Sequence, residues 1–149
     1  MKISITKDEY KTLLDVFHIA TWVLYANNNE KTTEKAKYDV LEQKILKLAT
    51  EFGYEKYVDF EAKDSAYIYS EKFEKDTPAK KFIEEFEDET FWDEITTRLT
   101  RRDLVKKLGL DMIKSMDLAE RIKEESLIGK EYYDEFVKNG LSNLALDKK

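Results

Sequence analysis

The side chains whose types and spacing come nearest to chemistry are Asp15, His18 and Trp22, set one helical turn apart on what reads as a single helix. A carboxylate one turn from an imidazole can orient it, which is where acid–base work begins, and an indole can stack on a ligand. A polar strip satisfied inside a helical bundle uses the same residues at the same spacing, so the pattern does not by itself establish a catalytic centre. His18 is the sole histidine, and no Glu-x-x-His pair occurs. The di-iron site of carboxylate bundles therefore has no ligand set, and a His-dependent zinc hydrolase is not expected either.

Two arginines pose the sharper question. On a helical wheel Phe91, Trp92, Ile95, Leu99 and Val105 span about 140°, with Arg98 and Arg102 inside the same arc. A guanidinium drawn toward an apolar side needs an acid, an aromatic face or a bound anion. One reading is an internal ion pair. The other is a small-molecule or anion site between the first helix and this one, with His18, Trp22, Trp92, Arg98 and Arg102 as its ligand-binding candidates.

Charge is unevenly spread along the chain. Its 32 acids against 26 Lys and Arg give a formal charge of −6, which argues against general nucleic-acid binding and makes acidic mimicry of nucleic acid a weak reading. Residues 71–95 hold ten acids against four lysines, whereas residues 98–107 hold Arg98, Arg101, Arg102, Lys106 and Lys107 against Asp103 alone. The run Glu84, Glu85, Glu87, Asp88, Glu89, Asp93, Glu94 offers the oxygen ligands that a hard cation prefers. A solvated face or a helix start produces the same run, and no metal site is assigned to it.

Other chemistries lack their parts. There is no cysteine, hence no disulfide, thiolate zinc site or thiol nucleophile. The four glycines stand singly at 53, 109, 129 and 140, so no phosphate-cradling loop or Gly-x-Ser-x-Gly elbow exists. No catalytic residue and no cofactor is implied. The opening Met1-Lys2-Ile3-Ser4-Ile5 lacks a signal-peptide layout, and the apolar stretch from Val16 to Ala26 is too short to span a bilayer. Cytoplasm is the expected location.

The elements that must position these residues are helical. With 39% charged residues, 19 aromatics, four glycines and one proline, 149 residues suit a single all-α domain over 1–149 with about five main helices. Thr6-Lys7-Asp8-Glu9 forms a capping box with Ile5 and Tyr10 as its staple, starting a first helix that ends at Asn27-Asn28-Asn29. Its nearly all-round apolar stretch predicts a central helix. The second helix is expected over Thr33–Phe52, with Tyr38, Leu41, Ile45, Leu48 and Phe52 inward and Gly53 as its stop. Residues 54–76 read as short helical turns joined by loops. Thr77-Pro78 restarts a short helix, Glu87-Asp88-Glu89-Thr90 breaks it, and another runs over Thr90–Leu108 to Gly109. A short turn holds Met112, Ile113 and Met116. Asp117 caps a last helix, which carries Leu118, Ile122, Gly129, Tyr133 and Phe136 and runs to Asn139-Gly140. Alternation of Ile3 with Ile5 and of Leu144 with Leu146 predicts a two-stranded pairing of the chain ends.

The segment Glu89-Thr90-Phe91-Trp92-Asp93-Glu94, followed by Arg98-Leu99 and Arg102-Asp103, resembles a family of small uncharacterised all-helical bacterial proteins. The spacing of Leu13-Leu14 to Trp22 and Ala26 strengthens the likeness, which covers most of the chain. It implies a helical fold and a cytoplasmic location, and it brings no activity with it. The reading that follows is a non-enzymatic protein-interaction module in which the acidic segment 84–94 or the basic segment 98–107 meets another protein. The tyrosines of 54–73 are compatible with a homo-oligomer.

Overall fold

The structure, a computed structural model, describes residues 3–27, 30 and 32–145. It is mostly α-helical: α1 (Lys7–Tyr25), α2 (Thr33–Lys47), a 3-10 turn (Glu55–Tyr57), β1 (Val58–Glu61), β2 (Ala66–Tyr69), α3 (Glu71–Asp76), α4 (Ala79–Leu108), α5 (Leu110–Ser115) and α6 (Leu118–Asn139). The chain divides into two compact units, Met1–Glu85 and Phe86–Lys149, with the boundary inside α4.

In the first unit α1 starts where the capping box places it. Thr6 Oγ1 accepts the Glu9 N–H at 3.2 Å, and Glu9 Oε2 accepts the Thr6 N–H at 2.7 Å. Its core gathers Tyr10, Leu14, Leu46, Ala49, Tyr57 and Phe73, with Ile5, Ile45, Leu48 and Phe52 packed against it. Tyr10 lies parallel to Phe52 with ring centroids 4.3 Å apart, and its hydroxyl donates to the Ile45 carbonyl at 2.7 Å. Burial in that core pushes the Tyr10 phenol up to about 12.

Two expectations about these helices change. Only Tyr10 and Leu14 of α1 are fully buried; Val16 and Val23 are exposed, and the other residues from Phe17 to Tyr25 are half-buried, so α1 is partly covered on most sides and not enclosed. In α2 the buried residues are Glu42 and Leu46, and Tyr38 and Leu41 are exposed, while Ile45, Leu48 and Phe52 pack against the core as expected. The first half of the stripe differs because polar bonds fix it, and hydrophobic periodicity does not register those. Helix α2 also ends at Lys47, and turns carry the chain to Gly53, whose φ of +72° is the left-handed geometry that glycine accepts without strain.

Extended pairing occurs at a different place from the one the alternation predicted. Ile3, Ile5 and Leu144 lie in no strand, and Leu146 falls outside the described residues. The two-stranded sheet is the local antiparallel hairpin β1–β2, registered Val58↔Tyr69, Asp59↔Ile68, Phe60↔Tyr67 and Glu61↔Ala66. Its four-residue loop closes on Ser65 at φ +50°. A hairpin of neighbouring segments costs far less loop-closure entropy than joining the two ends of a chain.

The Gln43 side chain braces this hairpin from α2, with Oε1 accepting the Tyr67 N–H and Nε2 donating to the Tyr67 carbonyl, both at 2.8 Å. Thr77 then starts α4 as expected: its hydroxyl accepts the Ala79 N–H at 3.1 Å and donates to Asp15 at 2.6 Å.

The predicted break at residues 87–90 is absent, and α4 is one helix of 30 residues. Neither glycine nor proline interrupts it. Its acids are accommodated in place, Glu84 and Glu85 by Lys80 and Lys81 one turn earlier and Glu94 by Arg98 one turn later.

In the second unit α6 runs antiparallel to the later part of α4. Trp92 meets Phe136, Thr100 lies against Gly129, and Lys107 pairs with Glu124 at 2.7 Å. Asp117 caps α6 by accepting the Ala119 N–H at 3.0 Å, and Gly140, at φ +56°, ends it.

Replacing Gln43 with Ala leaves the Tyr67 N–H and carbonyl without their partners in a part-buried position. We expect it to destabilise the first unit by about 1–3 kcal/mol. Urea unfolding followed by Trp22 fluorescence in a Trp92→Phe background measures this, and an unchanged midpoint would show that the brace carries no load.

Candidate interaction surface

Of the five residues singled out in sequence, His18 and Trp22 belong to the first unit, and Trp92, Arg98 and Arg102 to the second. Asp15 does not orient His18, because it is engaged by Thr77. The imidazole instead packs edge-on against Tyr69 and Phe73, with centroids 5.0 and 5.4 Å away, and its Nε2 lies 3.7 Å from Glu74 Oε2. Trp22 is half-buried on α1.

The polar centre of the first unit is one that sequence reasoning passed over. Glu42 is only 8% exposed, and its Oε1 accepts hydrogen bonds from Thr21 at 2.8 Å and Tyr69 at 3.1 Å. Burial raises the Glu42 carboxyl above its ordinary value, although both donors pull the other way. Burial likewise raises the Tyr69 phenol, with the Glu42 charge adding to it. Nearby, Tyr25 donates to both oxygens of Asp39, at 2.7 and 2.8 Å, and that bond is the main reason its phenol rises to about 12. The signal in the sequence was a carboxylate at the position where an apolar residue would have continued the α2 stripe.

The arginines do not turn toward an apolar interior. Arg98 is 78% exposed and donates from Nε to Glu94 at 2.8 Å. Arg102 donates to both Asp103 oxygens at 2.8 and 3.0 Å and to the Tyr132 hydroxyl at 2.9 Å, while Tyr132 itself donates to Asp103. The Arg102 bonds, followed by the Tyr132 bond, hold the Asp103 carboxyl far below the usual carboxylate range. Both guanidinium groups are thus matched by acids on their own helix, which removes the reason to invoke a bound anion.

Trp92 is where the second unit opens. Its indole N–H donates to Asp88 at 3.1 Å, and its ring tilts against Phe136 at 5.5 Å. A groove of about 350 Å³ lies there between α4 and α6, lined by Asp88, Glu89, Trp92, Asp93, Thr96, Tyr133, Phe136 and Val137. Tyr133 is 63% exposed and Val137 70%, so the walls stand open.

A second groove of about 390 Å³ involves Asp103, Lys107, Glu131, Tyr132 and Glu135. Most of its charge is already matched: Asp103 by Arg102, Lys107 by Glu124, and Glu135 by the Asn139 and Asn143 amides. At the Trp92 groove the reverse holds, since Asp88, Glu89 and Asp93 form no ion pair among the described residues. Three or more carboxylate or imidazole groups able to hold a metal ion do not converge anywhere among the described residues. No described helix is long and apolar enough to cross a membrane.

No protein-family model matches the chain. Neither a curated protein nor a solved structure matches it.

Two carboxylates should show opposite pH signatures. The depressed value of Asp103 stabilises the fold above the ordinary carboxylate range and ceases to do so as pH falls through that depressed value. Asp103→Asn should therefore lower the urea midpoint at pH 7, with the loss shrinking in strong acid, as read by Trp92 emission in a Trp22→Phe background. Glu42, being raised, favours the fold most when protonated, and that contribution disappears as pH rises through its raised value. The stability of wild type relative to Glu42→Gln should accordingly fall as pH rises above the ordinary carboxylate range, and a difference that rises or stays level would contradict the assignment.

Proposed function

We propose that this chain is a non-enzymatic, cytoplasmic protein-interaction module whose docking surface is the α4–α6 face containing Trp92, Tyr133 and Val137. The observation that carries the reading is the incomplete burial of the helical hairpin. Leu104 and Phe136 are buried, yet Tyr133 and Val137, one turn apart, form a short exposed apolar strip on α6 beside the groove. Apolar strips of this kind on a helix pair are where further helices or partner proteins pack.

Openness favours a protein over a small molecule. Drug-sized ligands are held in sites that enclose about 70–90% of their surface, and walls as exposed as Tyr133 and Val137 enclose little. An anion finds the wrong charge at the rim, where the side chains are Asp88, Glu89 and Asp93.

Magnitudes indicate what else the partner must supply. Full burial of Val137 contributes about 1.5–3 kcal/mol, whereas association costs about 4–15 kcal/mol in lost freedom. The strip alone does not hold a partner, and an aromatic anchor such as Trp92 or a charge contribution is required.

The test places a photo-crosslinking phenylalanine analogue at Tyr133, and separately at Glu131 on the far side of α6, in the cells that make the protein. Discrete protein adducts at Tyr133 and none at Glu131 are expected. Adducts at neither position would sink the interaction reading.

A further inference from the structure

Along α4, Glu84, Glu85 and Glu94 are each neutralised by a lysine or arginine one turn away, whereas Glu87, Asp88, Glu89 and Asp93 form no ion pair among the described residues. Of these four, Asp88, Glu89 and Asp93 line the groove. Unneutralised carboxylates lie together beside an apolar floor of Trp92 and Phe136. Carboxylates without a cation of their own attract a cationic partner.

The aromatic side chains point the same way. The Trp92 indole is fixed by its bond to Asp88, and Tyr133 stands across from it on α6. A lysine or arginine that reaches the rim meets carboxylates and an electron-rich ring face at once, and arginine over tryptophan is the most favourable of such contacts. The groove also runs between two antiparallel helices. A third helix laid along such a groove presents side chains at spacings of three and four to its floor and to its rim.

Resting on the interaction-module reading, we propose that the groove between α4 and α6 docks a basic amphipathic helix of a partner protein. Its apolar side chains lie on Trp92 and Phe136, and its Lys or Arg side chains pair with Asp88, Glu89 and Asp93.

The probe is an 18-residue Leu–Lys peptide with leucines on one helical face, titrated into the full chain carrying Trp22→Phe so that Trp92 is the reporter. Saturable one-to-one binding is expected, weakened by salt and by roughly tenfold or more in the combined Asp88→Asn, Glu89→Gln, Asp93→Asn variant. Circular dichroism melting of that variant establishes that it folds, and Val137→Lys, which places a cation at the groove wall, should weaken the peptide as well. A Leu–Glu peptide of the same pattern should not bind.

The proposal is overturned if the Leu–Lys peptide does not bind, if the Leu–Glu peptide binds equally well, or if the neutralised variant binds unimpaired. It is overturned too if light scattering finds the free chain dimeric through this face, with Val137→Lys returning it to a monomer. Adducts at Tyr133 without peptide binding defeat the basic-helix proposal and leave the module reading standing. Absence of both defeats the two together.

Discussion

Glu42 projects from the inward stripe of α2, at a position where an aliphatic side chain would need nothing further, and the arrangement of the first unit follows from supplying that carboxylate with donors. A charge taken from water costs several kcal/mol unless hydrogen bonds replace its hydration. Thr21 supplies one donor from α1 and Tyr69 another from β2, so a single side chain fixes the axial positions of a helix, a second helix and a strand. The Tyr69 hydroxyl has one proton and two acceptors, Glu42 at 3.1 Å and the Leu14 carbonyl at 3.3 Å. The upward shift of Glu42 comes from its burial, and the Thr21 and Tyr69 bonds act against it.

The second unit solves a smaller problem with fewer elements. Two long helices meet along a seam that is not especially apolar: Thr100 lies against Gly129, and Arg102, Asp103 and Tyr132 form a half-exposed ionic cluster at its side. The Thr100 hydroxyl is buried without a hydrogen-bond partner among the described residues, another sign that close helix approach governs this seam. Trp92 with Phe136 and the buried Leu104 supply the apolar part of the contact, while Ile122, Tyr133 and Val137 stand exposed on α6.

Much of the helical framework was legible because helix ends are written in local chemistry. Thr6 with Glu9, Thr77 before Pro78, Asp117 and Gly140 each act where their types predict, since a cap depends on residues within one turn. Faces were less legible. The wheel of residues 91–105 is apolar on the arc holding Phe91 and Val105, but α6 meets the adjoining arc of Trp92, Thr100 and Lys107, because hydrophobicity states which side is apolar and not which side a partner covers. Arg98 and Arg102 were misplaced for the same reason. The uninterrupted α4 was missed because acids that suit a helix start are equally at home in mid-helix when lysines stand one turn away. The hairpin escaped notice since its strands have four residues each, too short for alternation to emerge.

Gln43 has a bearing beyond its own bonds. In the β1–β2 register the Phe60↔Tyr67 pair is not hydrogen-bonded across the hairpin, so the Tyr67 N–H and carbonyl face outward along the free side of β2. An unoccupied strand side is a template on which another chain can add a strand, the usual beginning of sheet-driven aggregation. The primary amide of Gln43 presents one acceptor and one donor, as a peptide unit does, and so takes the place that an incoming backbone would fill. The hairpin is short and rich in aromatic residues, a composition otherwise prone to recruit its like. A side chain from a helix closes that route on the β2 side.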